Sequence, residues 1–288
     1  MPINMAGKKH SMLVVIANYG SKQIKYLKRI LKEYSNFRKY KVNVILISTE
    51  HIKDLKYKNL EIKQEIFDAS LGYWIAHKHK KLIADNKDKF DIFIYSENDM
   101  LITEKNIDMF AKHSKALSET NLVPGFLRYE TNNSKDKYLI DLHPNHAANR
   151  IPFYFATKYI ISVLPEKTAL DMGLHPIIRN QNININGKRY FEVQNLHQGS
   201  YILTRKQLGK ALDSGKYFDE KDNYAGIREG AASNVYAKCG ITKVISQDDI
   251  ENSLIHHLPD KYAGLHPTYT KKQAITLKGL KKLLKKYP

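Results

Sequence analysis

Over roughly the first hundred residues, apolar runs rich in β-branched side chains alternate with stretches whose apolar residues recur every three or four positions. Met12 to Ala17 reads as a first strand. A helix is expected over about 21–36, where Ile24, Leu27, Ile30, Leu31 and Tyr34 share one face and Lys or Arg fill the other. Strands follow at 42–48 and 60–67, then a helix at about 70–86 and a strand formed by Phe90, Ile92, Phe93, Ile94 and Tyr95. This β-α-β order predicts an α/β fold, a Rossmann-like and mostly parallel sheet flanked by helices, with ligands bound beyond the strands' C-terminal ends.

The second half is less regular. Strands are expected at 123–128, 138–142, 199–204 and 243–246, and helices at about 206–214 and 228–238. Between them, about 143–188 carries Asn and His clusters with little periodicity and reads as an irregular binding loop or lid. At the end of the chain, 271–288 is Lys-rich and amphipathic, with Leu277, Leu280 and Leu284 along one face. No internal repeat or flexible linker interrupts the chain, so one compact domain is favoured.

The strand ends carry the chemistry. Glu97-Asn98-Asp99 closes the fourth strand, and two carboxylates one residue apart can converge on a hard cation. Mg²⁺ or Mn²⁺ takes one or two carboxylates and fills its shell with water and substrate phosphate. The competing reading is a polar turn in which Asp99 caps the next segment. Asn18, Tyr19 and Gly20 follow the first strand and Asp68 the third, so all share the expected crevice. Tyr19 is suited to stacking on a base, Gly20 to close backbone approach, and Asp68 to accepting from base or ribose. The helix after Asp68 carries Trp74, His77, His79 and several lysines; Lys78 is its candidate for the phosphates, against a reading as a solvated basic face.

Composition narrows the partners. Lys and Arg number 47 against 29 acids, a formal charge of +18, which attracts a polyanion: nucleic acid, an anionic membrane or a phosphorylated substrate. The one cysteine, Cys239, rules out an internal disulfide framework and a cysteine zinc site and fits a reducing, cytoplasmic compartment. The apolar run after the basic N-terminus is too short for a signal peptide, and no run of about 18 apolar residues predicts a membrane span. Asp141, His143 and His146 lack metal-ligand spacing, so a polar loop is favoured over zinc. Asn132-Asn133-Ser134 matches a glycosylation sequon that this compartment leaves unused.

Four segments in order, FDIFIYSENDMLIT, HQGSYILTRKQL, REGAASN and SLIHHLPDKY, resemble the nucleotide-sugar glycosyltransferases of the GT-A fold. The first resembles their acidic DXD strand end, with Glu97 where the motif has Asp. The resemblance covers about residues 10–262. It implies a catalytic domain over 1–268, with a nucleotide and metal half at about 10–118 and an acceptor half at about 119–268, followed by the basic tail 269–288. It also implies Mn²⁺ or Mg²⁺ held directly by Asp99, with Glu97 acting on the metal or the ribose, and a glycine loop at Gly199. An acid at the start of the acceptor helix, Glu229, would take the acceptor hydroxyl's proton in an inverting reaction; an acid placed there for the helix dipole alone is the alternative. The C-terminal segment would supply a histidine, His256 or His257, with His257 preferred; two histidines satisfied by backbone groups is the alternative.

The implied activity is transfer of a sugar from a nucleoside diphosphate sugar to a saccharide or glycolipid hydroxyl, in surface polysaccharide or glycoconjugate synthesis. The tail would hold the enzyme at the inner face of an anionic membrane. A nucleic-acid-binding protein is the rival suggested by the charge and by 19 Tyr and 10 Phe, but the lysines are dispersed and no recognised signature is present, so no nucleic acid partner is expected. A metal-dependent nucleotidyltransferase or phosphohydrolase is the other, since an acidic pair also serves phosphoryl chemistry.

Overall fold

A computed structural model describes residues 9–132, 135–142, 168, 172, 175, 177–221, 223–263 and 275–286. His143, His146, Asn133 and the start of the tail lie outside the described residues. The chain forms two compact units, Met1–Val123 with His197–Ile241 and Pro124–Leu196 with Thr242–Pro288.

In the first unit, strands β1 (His10–Ala17), β2 (Tyr40–Ser48), β3 (Leu60–Ile66) and β4 (Ile92–Glu97) join Ser200–Thr204 in a five-stranded sheet. The order is Ser200–Thr204, β4, β1, β2, β3. The numbered strands are parallel neighbours, and Ser200–Thr204 runs antiparallel to β4. Met12 to Ile16 and Ile92 to Tyr95 are buried along their whole lengths, as strands covered on both faces must be. Helix Ile24–Ser35 buries the expected Leu27, Ile30, Leu31 and Tyr34.

Two helical expectations change. The helix expected at 70–86 is a 3-10 segment, Ala69–Lys78, followed by a separate α-helix, His79–Ala84. Gly72, at φ 50° and ψ −128°, breaks it, in a conformation that side-chain-bearing residues rarely adopt. A helix absent from the sequence reading, Glu104–Ala116, follows β4 and buries Ile107, Met109 and Phe110. Its buried Asn106, His113 and Ser114 dilute the apolar period, while Thr103 and Asn106 close a capping box at its start. Thr204 and Gln207 repeat that device at helix Arg205–Asp213.

The second unit is built differently. Strands Ile178–Ile185, Lys188–Val193 and Thr242–Ser246 pair antiparallel. Strand Leu127–Thr131 pairs parallel with Leu254–His257 and antiparallel with Lys137–Leu139, whose other side takes Ile275–Thr276. The sheets of the chain are therefore mixed, and the expectation of a mostly parallel sheet holds only for the first unit. The end of the stretch read as an irregular lid is a hairpin: Asn186 and Gly187, both at positive φ, turn Ile178–Ile185 into Lys188–Val193. Leu280 and Leu284 of helix Leu277–Lys286 pack into the unit's core with Leu127, Leu139, Ile178, Phe191 and Ile245. The apolar face of the tail is thus occupied by its own unit.

Candidate active site at the β1/β4 strand ends

Register decides which residues meet. Ala17 lies opposite both Ile47 and Glu97, so the ends of β1, β2 and β4 are level and the residues after them stand side by side. β1 has β2 on one side and β4 on the other, so the residues that follow these neighbouring parallel strands share one end of the sheet, where open parallel sheets bind ligands.

Asn18 is fully buried and knits the edge together. Its backbone N–H donates to the Ile47 carbonyl at 2.8 Å, and its side-chain amide donates to the Gly20 carbonyl at 3.0 Å and the Ser48 hydroxyl at 3.3 Å. The Asn98 amide donates to Asn18 Oδ1, joining the acidic turn to the β1 loop. These bonds make Asn18 and Asn98 positioning residues. Gly20, at φ 65°, donates its N–H to Thr49 Oγ1, and beside it the Tyr19 ring stands 55% exposed with its hydroxyl donating to the Ala69 carbonyl.

Glu97 ends β4 and Asn98-Asp99 form the turn that follows, so the sequence placed the triplet correctly. Asp99 and Asn98 are buried and Glu97 is half-buried. The Glu97 N–H donates to the Gly199 carbonyl at 2.9 Å. Gly199 sits at φ 63°, where a Cβ would meet Met100 Sδ at 2.9 Å, so its role is to fix the acidic turn.

Glu229 lies in the first turn of helix Ile227–Lys238, and its Oε1 accepts from Arg228 Nη2 at 3.1 Å. A Cβ on Gly226 would stand 2.7 Å from Glu229 Oε2, so the glycine makes room for this carboxylate. The helix start is tied to Ala69–Lys78, where His77 Nε2–H donates to the Ile227 carbonyl at 2.7 Å and the Arg228 guanidinium lies over the exposed ring of Tyr73.

One buried phenol senses all of these charges. Tyr95 of β4 has its ionisation pushed well up, first by burial and then by the negative charge of Glu97, with Arg228 opposing and Asp99 and Glu229 adding to it. Glu97, Asp99, Glu229 and Arg228 thus all act electrostatically on this one side chain. Tyr95 stacks on the buried His79 ring at 3.9 Å, and burial pushes His79 well below the usual imidazole range. No protein-family model and no curated protein matches the sequence.

The other expected residues are dispersed. Asp68 accepts from the Ser70 N–H at 2.7 Å and is the cap of Ala69–Lys78; hydrogen bonds from the Ser70 side chain and backbone hold its carboxyl below the usual carboxylate range. Lys78 is half-buried on that segment, and it is the neighbouring Lys80 that burial pushes below the usual ammonium range. His256 and His257 belong to the second unit, each held by a carboxylate. His256 Nε2 meets Asp260 Oδ1 at 2.9 Å with its ring stacked on Tyr129, and the buried His257 binds Glu130 through Nδ1. A carboxylate on Nδ1 fixes the tautomer that leaves the lone pair on Nε2, an arrangement found behind metal-ligating histidines and absent from His256. Asp141 is engaged by two nitrogens of a bidentate Arg128 fork, at 2.9 and 2.7 Å.

Among the described residues, no group of three or more His, Cys, Asp or Glu side chains is placed to hold a metal. Glu97 and Asp99 suit instead a cation that takes one or two protein carboxylates and completes its shell with water and a ligand's phosphate oxygens. Neither Tyr95 nor Tyr73 stands out in the sequence as a site residue, because one reads as core and the other as helix surface.

Proposed function

We propose that the chain is a GT-A-like glycosyltransferase that moves a sugar from a nucleoside diphosphate sugar to a hydroxyl of a saccharide or glycolipid, with inversion at the anomeric carbon. The observation that carries this reading is the acidic turn Glu97-Asn98-Asp99 at the C-terminal end of β4, tied to the β1 loop through Asn98 and Asn18 and to Gly199 of the segment that also supplies Glu229. Asp99 and Glu97 would hold Mn²⁺ or Mg²⁺, which when bound supplies positive charge to the departing diphosphate. Asn18 and Asn98 hold the acidic turn against the β1 loop, and Tyr19 offers its exposed ring to the donor's base. Glu229 accepts the proton of the acceptor hydroxyl as that oxygen attacks, a step that requires an ionised carboxylate within hydrogen-bond reach. Arg228 orients Glu229 in the resting site.

Nucleoside diphosphate release, measured with Mn²⁺ and a panel of nucleotide sugars and saccharide acceptors, tests this. Release should depend on acceptor, and Glu229→Gln should lower kcat about 100-fold or more while leaving donor affinity within about twofold. Release that is equally fast without acceptor identifies a phosphohydrolase and contradicts transfer.

A further inference from the structure

A second site lies wholly within the second unit and is independent of the proposed chemistry. Helix Leu277–Lys286 and the residues leading into strand Lys137–Leu139 enclose a groove of about 730 Å³. Lys135 and Lys137 line it from the strand side, and Lys278, Lys281, Lys282 and Lys285 line it from the helix. Among the described residues, Asp136 and Glu251 alone bring negative charge to its walls. Glu251 pairs with Lys281 at 2.5 Å. On the helix, Lys278 and Lys282 are like charges one turn apart, a spacing that is mildly destabilising until an anion relieves it.

We infer that this groove binds a stretch of an acidic polysaccharide, a hydroxyl-rich chain carrying repeated carboxylates. A membrane fits it less well, because a basic helix that docks on lipid inserts its apolar face, and here Leu280 and Leu284 are committed to the core. A concave groove also admits a single extended chain and not the plane of a bilayer. Nucleic acid fits less well too: among the described residues no arginine and no aromatic ring lines the groove, so they offer neither forked phosphate contacts nor a stacking platform. Lysines interspersed with Asp136, Glu251 and Thr276 match a ligand that alternates carboxylates with hydroxyl donors. Leu277 gives a sugar ring an apolar surface to lie on.

The test uses the full chain and polyglucuronate, with polyuridylate RNA and phosphatidylglycerol vesicles as competitors, at about 0.15 M salt. The variant Lys278→Ser/Lys282→Ser/Lys285→Ser is compared with Lys22→Ser/Lys25→Ser/Lys28→Ser, which removes the same charge from an exposed surface of the first unit. Both should melt as the wild type does. The groove variant should lose about tenfold in affinity for polyglucuronate, and the control less than about twofold. Equal losses in the two variants, or tighter groove-dependent binding of RNA or vesicles, would overturn the proposal.

Discussion

Gly199 shows how one residue can look like a ligand contact and act as a structural hinge for the site. Its left-handed backbone and the 2.9 Å approach that any Cβ would make to Met100 predict that Gly199→Ala destabilises the fold by about 1–3 kcal/mol and loosens the turn that Glu97 and Asp99 share. Urea denaturation checks the first effect; an unchanged midpoint contradicts it. Gly226 is the parallel case for catalysis. Gly226→Ala should push the Glu229 carboxylate off its position and lower kcat more than KM, whereas a merely structural role would lower melting temperature and leave kcat alone. At this scale the sequence was informative about place and less so about role. Strand length and the break to polar residues marked the acidic turn and Asn18, but a single sequence does not show that Asn18 spends its amide on Gly20 and Ser48 or that Asp68 spends its carboxylate on Ser70.

The elements of the first unit were legible wherever burial imposed a clean period. β1, β2, β4 and helix Ile24–Ser35 are covered by strong apolar patterns and appear within a few residues of their expected bounds. Helix Glu104–Ala116 was not, because three polar side chains are buried on its packed face; its Thr103 and Asn106 box was the signal available. Thr103→Ala should cost about 1 kcal/mol, read from chemical denaturation, and no change would show that packing alone holds the helix. The hairpin of the second unit carried a similarly local signal. Asn186-Gly187 is the dipeptide that the tightest turns require, and it sat in a stretch whose Asn-rich strand hid the two-residue alternation.

For the molecule as a whole, charge is the property most visible in the sequence and most redistributed by the fold. The +18 total reads as diffuse, yet the structure sorts the lysines into distinct environments: the groove of the second unit, and a buried Lys243 that donates to the Asn195 and Leu196 carbonyls. Burial pushes Lys243 from an ordinary value of 10.5 down to about 7, partly offset by Asp141 and reinforced by Arg128. Between those values the unfolded chain binds the proton that the folded chain lacks, so stability rises with pH from about 7 toward 10, and the penalty persists in full below 7. Urea midpoints across that range should climb in the wild type and flatten in Lys243→Met; parallel slopes would contradict the assignment. Which halves of the chain build each unit was not legible, because the first unit recruits His197–Ile241 across a long sequence gap by strand pairing with β4. That pairing brings Gly199 to Glu97, and the same segment supplies Glu229, so the central claim concerns one assembled edge. A thermal-shift panel of UDP-, GDP- and CMP-sugars with and without Mn²⁺ tests it most directly: at least one donor should raise the melting temperature only with Mn²⁺, and Asp99→Ala should abolish that rise. No shift with any donor, or the same shift in Asp99→Ala, would contradict the account.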